Sequence, residues 1–207
     1  MRAVRHARLE ETAASEHAAD AMANACFVEA NSPRRAEAEG FIREIFRHHH
    51  AAHVRSFAPN LMLLEREQHV VAAAGWRAAA DEPLFLERYL DEPIEKLMER
   101  LTGLPFPRAR LVEVGHLASD KPGGSLHVIL TLARHLHAAG YEWVVFTATH
   151  ELVRIFTKLG LPLLALAKAD PSRLGEEAQD WGRYYDTRPV VVAGRIRHAL
   201  EKIGDAA

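Results

Sequence analysis

Residues 110–149 read RLVEVGHLASDKPGGSLHVILTLARHLHAAGYEWVVFTAT, and this stretch decides the fold. Its first part, 110–118, is an apolar, β-branched run of strand type that also carries Glu113 and His116. Lys121, Pro122, Gly123, Gly124 and Ser125 break that run, and from 124 to 138 apolar residues recur at helical spacing. A second apolar run follows over 141–148. Strand, glycine turn, helix and strand in this order predict a parallel pair joined by a right-handed crossover.

Working outward, the pattern predicts a helix over 150–159, a strand over 162–168, and a strand and short tail helix in RPVVVAGRIRHALEKI, 188–203. Upstream, Ala38, Phe41, Ile42, Ile45 and Phe46 recur every three or four residues, the mark of an amphipathic helix from 34 to about 54. NLMLLERE and HVVAAAGWRAA read as two strands meeting at a polar turn near Glu67 and Gln68. EPLFLERYL and DEPIEKLMERLTG read as helical, with Pro93 near a start and Gly103 just past an end. Adjacent strands in the first half pair antiparallel; alternating strands and helices in the second half pair parallel at the centre. The expected fold class is α/β (α+β): a mixed, mostly antiparallel sheet with a splayed central parallel pair and helices on both faces. Residues 1–33, Ala-rich and closed by Asn31, Ser32 and Pro33, read as an N-terminal helical arm or extension, and 34–207 as the domain.

Composition narrows the function classes. The 207 residues are 48% hydrophobic and 26% charged, ordinary for a globular chain, and the net charge of −2 offers no basic field for nucleic acid. A lone cysteine, Cys26, forms no internal disulfide. No apolar h-region follows Arg2, Arg5 and Arg8, and no apolar run approaches the roughly 20 residues of a spanning helix, so a cytoplasmic protein without membrane insertion is expected. The run His48, His49 and His50 does not chelate one ion from one helix face, and no metal site is expected among the 13 histidines.

The order of elements resembles that of the GNAT acyltransferases. Within that superfamily, residues 34–197 are similar to the thermostable hemolysin family, through FAPNLMLL, AAAGWRAA, LFLERYLDEPIE, VEVGHLAS, GYEWVVFTAT, LAKADPSRL and WGRYYDTRPVVVAG. The resemblance implies transfer of a fatty acyl group from an acyl thioester, either acyl-CoA or an acyl carrier protein, to the amine of a small acceptor such as an amino acid. A homodimer is admitted. Two other readings stand beside it: a membrane-active hemolysin, and a catalytically inactive module that binds acyl thioesters.

The resemblance also implies site residues. The junction of Lys121, Gly123, Gly124 and Ser125 corresponds to the pyrophosphate loop, although two adjacent glycines replace the usual spaced pair. Backbone N–H groups of Leu117 and Ala118 are expected to polarise the thioester carbonyl. Glu113-Val-Gly-His116 resembles the Glu-x-x-Arg pair of acyl-homoserine-lactone synthases, with histidine in the arginine slot, where other thermostable hemolysins tend towards asparagine. Strand alternation alone sends Glu113 and His116 to opposite faces, so a shared role requires a β-bulge, expected at Gly115. Glu113 is the candidate base; its structural reading is a carboxylate bonded to backbone or to Arg110. The tyrosine that many GNAT enzymes use as an acid is replaced by Phe156, which leaves Thr147, Thr149 and Tyr185 as candidate donors. Arg77, Trp76 and Tyr185 are candidate acceptor-binding residues, with ion pairing or core packing as their structural reading.

Overall fold

A computed structural model describes residues 23–120 and 124–204. Seven strands form one sheet: β1 (Asn24–Val28), β2 (Asn60–Arg66), β3 (His69–Ala78), β4 (Leu111–Ser119), β5 (Trp143–Ala148), β6 (Leu164–Lys168) and β7 (Val190–Arg195). Their order is β1-β2-β3-β4-β5-β7-β6. The β4–β5 pair is parallel and the other neighbours are antiparallel. Among the described residues five α-helices accompany them: α1 (Arg35–His50), α2 (Ile94–Thr102), α3 (Gly124–Ala138), α4 (His150–Lys158) and α5 (Ile196–Gly204). The mixed, mostly antiparallel sheet expected from the sequence is therefore the observed one.

The N-terminal boundary at 34 is corrected in part. Asn24–Val28 is an edge strand paired with β2, because its alternating side chains let Val28 bury beneath α1. Residues 1–22 of the expected arm lie outside the described residues. The β2–β3 turn is the one expected: Glu67 and Gln68 both have positive φ, which suits a two-residue hairpin to strand twist. EPLFLERYL forms a 3-10 turn over Phe85–Tyr89 instead of a regular helix. Carboxylates hold that turn in place: Glu87 accepts from the backbone N–H groups of Leu84 and Ile94, and Glu113 from those of Phe85 and Leu86.

Both sheet faces are covered. One packs beneath α1, α2 and the 3-10 segments, through residues such as Ile42, Leu61, Met98 and Leu111. The other carries α3, α4 and α5 through Val128, Leu132, Phe156 and Ile196. The parallel pair is short. Leu111, Val112 and Glu113 align with Trp143, Val144 and Val145, and beyond them β4 and β5 diverge. Divergence removes ladder bonds at the middle of the sheet and leaves an opening between its two faces.

Candidate active site

A cavity of about 1030 Å³ occupies that opening. Val114, Gly115, His116 and Leu117 of β4 and Phe146 and Thr147 of β5 form its waist. On the α1 side it is lined by Arg77, Glu113, Phe85, Trp181 and Tyr184. On the opposite side it is walled by apolar residues of α3, α4 and α5, including Leu132, Leu136, Ile155, Phe156 and Ile196. One side thus presents charge and aromatic rings, and the other is mainly hydrocarbon, with His150 and Glu151 at the start of α4.

Glu113 is buried, with 7% of its surface exposed. Its Oε2 accepts from the Phe85 N–H at 2.7 Å, its Oε1 from the Leu86 N–H at 3.0 Å, and the Arg77 Nε lies 3.3 Å away. Burial pushes its pKa up to about 7, against the opposing pull of Arg77 and the two N–H donors. The partner is Arg77 and the backbone of the 3-10 turn; Arg110, the partner considered from sequence, pairs with Glu142 instead.

His116 joins Glu113 on one face, but the bulge sits one residue later than expected. Ala73 pairs with Ala118 and Gly75 with Gly115, so Ala74 alone opposes His116 and Leu117. His116 itself takes the left-handed conformation, φ 54°. Its ring packs near Phe46 and Phe57 beneath α1, and Nε2 meets the Ser56 carbonyl oxygen at 3.1 Å. Nδ1 is buried without a hydrogen-bond partner. Loss of hydration lowers the imidazole pKa to about 4, so the ring is neutral near pH 7, with Nε2–H donating to Ser56 and Nδ1 left as a bare acceptor. Asparagine, which tolerates positive φ, is a physically reasonable alternative at such a position.

The remaining candidates separate. Thr147 and Thr149 line the cavity. Thr149 lies beyond the end of β5 as the N-cap of α4, its Oγ1 accepting from the Leu152 N–H at 3.2 Å, which leaves its hydroxyl hydrogen free to donate. Leu117 lines the cavity, whereas Ala118 is buried in the core beneath α1 and does not reach it. Lys121 and Gly123 lie outside the described residues, and Gly124 and Ser125 begin α3. Trp76 is a correction: strand alternation places it on the face opposite Arg77, where Phe27 and His135 contact its ring. Tyr185 is a second correction, since its hydroxyl meets that of Tyr89 at 2.6 Å within the core and Tyr184 is the neighbour that lines the cavity.

His50 and the aromatic wall were not selected from sequence. His50, from the run excluded as a metal site, lines the cavity with its ring edge-on to Tyr184 at 5.3 Å. The WGRYYD segment reaches it because Arg183 N–H donates to the His50 carbonyl oxygen and Gly182 passes against the last turn of α1. A Cβ at Gly182 would lie 2.4 Å from that same oxygen, and its φ of 52° also favours glycine. The glycine between Trp181 and Tyr184 was the available signal.

This mixed-sheet fold is shared with solved structures of acyl-homoserine-lactone and N-acyl amino acid synthases. The chain is similar to the acyl-homoserine-lactone synthase LasI at 12% identity and TM-score 0.60, over 88% of this chain and 95% of that one. It is also similar to FeeM, an N-acyl amino acid synthase from uncultured soil microbes, at 12% identity and TM-score 0.61, over 87% and 94%. A third likeness is to BjaI, a CoA-dependent acyl-homoserine-lactone synthase in complex with SAM and isopentyl-CoA, at 13% identity and TM-score 0.58, over 89% of each chain. No curated protein matches the chain. The chain belongs to the thermostable hemolysin family, whose model matches residues 28–200. Among the described residues no helix is long and apolar enough to cross a membrane.

Proposed function

We propose that this protein transfers a fatty acyl group from an acyl thioester, acyl-CoA or the thioester of an acyl carrier protein, to the amine of a small acceptor such as an amino acid. The observation that carries the reading is the cavity through the sheet, whose charged end and hydrocarbon end meet at the β4–β5 opening. An acyl chain buries its methylenes against Leu132, Leu136 and Phe156, each contributing about 0.8 kcal/mol, and its carbonyl then falls at the waist. In the reaction the amine nitrogen attacks the carbonyl carbon, a C–N bond forms, the C–S bond breaks, and the thiolate leaves and takes a proton. Glu113 is the proposed base, since a carboxyl with a pKa near 7 accepts the ammonium proton at neutral pH. Thr147 at the waist and Thr149 beyond it are proposed hydroxyl donors, and the backbone at Leu117 the donor to the carbonyl oxygen. The start of α3, Gly124 and Ser125 with Lys121 and Gly123 before them, is the proposed seat of the donor's phosphates.

The test is mass spectrometry of reactions between purified protein, a series of acyl thioesters and a panel of amines. Amide products with an equal yield of free thiol are expected. Absence of amide from every pair, in protein shown to be folded, would sink the reading.

A further inference from the structure

We infer that the acceptor is an α-amino acid with a large apolar or aromatic side chain, its carboxylate held by Arg77 and its side chain by Phe46, Phe85, Trp181 and Tyr184. This rests on the acyl-transfer reading and names the acceptor for it.

Arg77 is an incompletely used cation. The Arg77 side chain is 16% exposed, lines the cavity, and has only two nearby carboxylates among the described residues. Glu113 Oε2 lies 3.3 Å from Nε, and Glu82 Oε2 lies 3.9 Å from Nη1, beyond hydrogen-bond distance. A guanidinium carries five N–H donors in a planar fork; Arg77 lines the cavity, and its two nearest carboxylates, Glu113 and Glu82, leave that fork without a two-bonded partner among the described residues. A ligand carboxylate matches such a fork in a two-bonded geometry.

Position then selects the α-amine. A carboxylate seated on Arg77 puts the amine one carbon away, and Glu113 is the carboxylate beside Arg77. The Arg77–Glu113 pair is therefore complementary, charge for charge, to the carboxylate and ammonium of an amino acid. An amine without a carboxylate leaves the Arg77 fork unpaired, at a cost in affinity.

The wall above the pair selects the side chain. Trp181 lies 6.3 Å from Phe46, 5.7 Å from Phe85 and 5.5 Å from Tyr184 between ring centroids, and all four rings line the cavity. Gly182, locked against the end of α1, fixes Trp181 and Tyr184 before any ligand arrives. Aromatic walls of this kind take either a cation or a flat apolar group, and the positive charge of Arg77 in the same cavity disfavours the cation. Glycine leaves the wall uncovered.

The experiment titrates the full chain calorimetrically with L-phenylalanine, glycine and 2-phenylethylamine without thioester, then supplies dodecanoyl-CoA with each and follows amide formation. L-Phenylalanine is expected to bind at least about tenfold more tightly than either of the others, the scale of one lost charged hydrogen bond. Arg77→Lys, which keeps the charge and loses the fork, should raise the Kd for L-phenylalanine about tenfold and leave that for 2-phenylethylamine unchanged. Phe85→Leu should narrow the preference for L-phenylalanine over glycine. Equal binding of 2-phenylethylamine, or of glycine, would overturn the inference. Tight L-phenylalanine binding with no amide from any thioester would support this ligand class and overturn the acyl-transfer reading, so the two failures are distinct.

Discussion

Glu113 and Arg77 stand directly opposite each other across β4 and β3, with carboxylate and guanidinium 3.3 Å apart beneath the aromatic wall. The same carboxylate accepts from two backbone N–H groups of the 3-10 turn, so it organises the site whatever else it does. Glutamine at 113 keeps one acceptor oxygen but turns an NH₂ donor towards a backbone N–H donor. Glu113→Gln is therefore expected to cost about 1–3 kcal/mol of stability, read by thermal melting. It should also lower acyl transfer per folded molecule by roughly 10²-fold, the scale of losing a general base. Full turnover by the folded fraction would remove Glu113 from the chemistry and leave it as the anchor of the turn.

Stability against pH separates Glu113 from His116, because their slopes oppose. The Glu113 carboxyl is raised from 4.5 to about 7, so between those values the folded state holds the extra proton and stability falls as pH rises. The His116 imidazole is lowered from 6.5 to about 4, so in that window the unfolded state holds the extra proton and stability rises with pH. In the intact protein the two partly cancel. His116→Asn suits the left-handed backbone and removes one titration, so from pH 4.5 to 6.5 its melting temperature should fall with pH relative to the parent. Parallel curves for parent and variant would mean that His116 keeps an ordinary pKa.

The order of elements was legible because the sheet's two halves carry different periodicities, and the parallel pair because the helix over 124–138 leaves no room for a hairpin. Glu113 was legible as a carboxylate in an apolar strand. Its partner was not: Arg77 lies 36 residues upstream on another strand, and only the β3–β4 register brings the two together. Trp76 and Arg77 look equivalent as neighbours in sequence, yet alternation sends one to each face. The bulge was inferred at Gly115, the residue with conformational freedom, whereas the backbone spends its positive φ on His116. Tyr184 and Tyr185 differ in role because a single turn directs one into the cavity and the other onto Tyr89.

Gly75 and Gly115 pair across β3 and β4 but have different surroundings, and this yields a stability prediction. A Cβ at Gly75 would meet Leu61 at 2.9 Å, Ala58 at 3.0 Å and the His116 ring at 3.1 Å, whereas one at Gly115 meets nothing within 4 Å. Gly75→Ala should thus destabilise by about 1–3 kcal/mol through overpacking. Gly115→Ala should stay within about 0.5 kcal/mol of the parent. Denaturant melts of both variants check this, and equal effects would contradict the packing at the bulge.

The hydrocarbon end of the cavity predicts control over the acyl donor. Ile155 on α4 lines that end and is only half-buried, so a larger ring has room to turn into the cavity without displacing the sheet. Ile155→Trp should fill the far end, forcing a long chain to withdraw its last methylenes while a short chain still lies between Ile155 and the waist. Each methylene kept out of the pocket forfeits about 0.8 kcal/mol, so exclusion of two or three reduces kcat/KM for the longest donors by roughly tenfold or more. Short donors should be used as well as before, which moves the optimum to shorter chains while acceptor preference is unchanged. Competition between acyl-CoA donors of graded length, with products quantified by mass, gives the measurement. An unchanged donor profile in folded Ile155→Trp would show that the acyl chain lies elsewhere and would detach the hydrocarbon end from the proposed reaction.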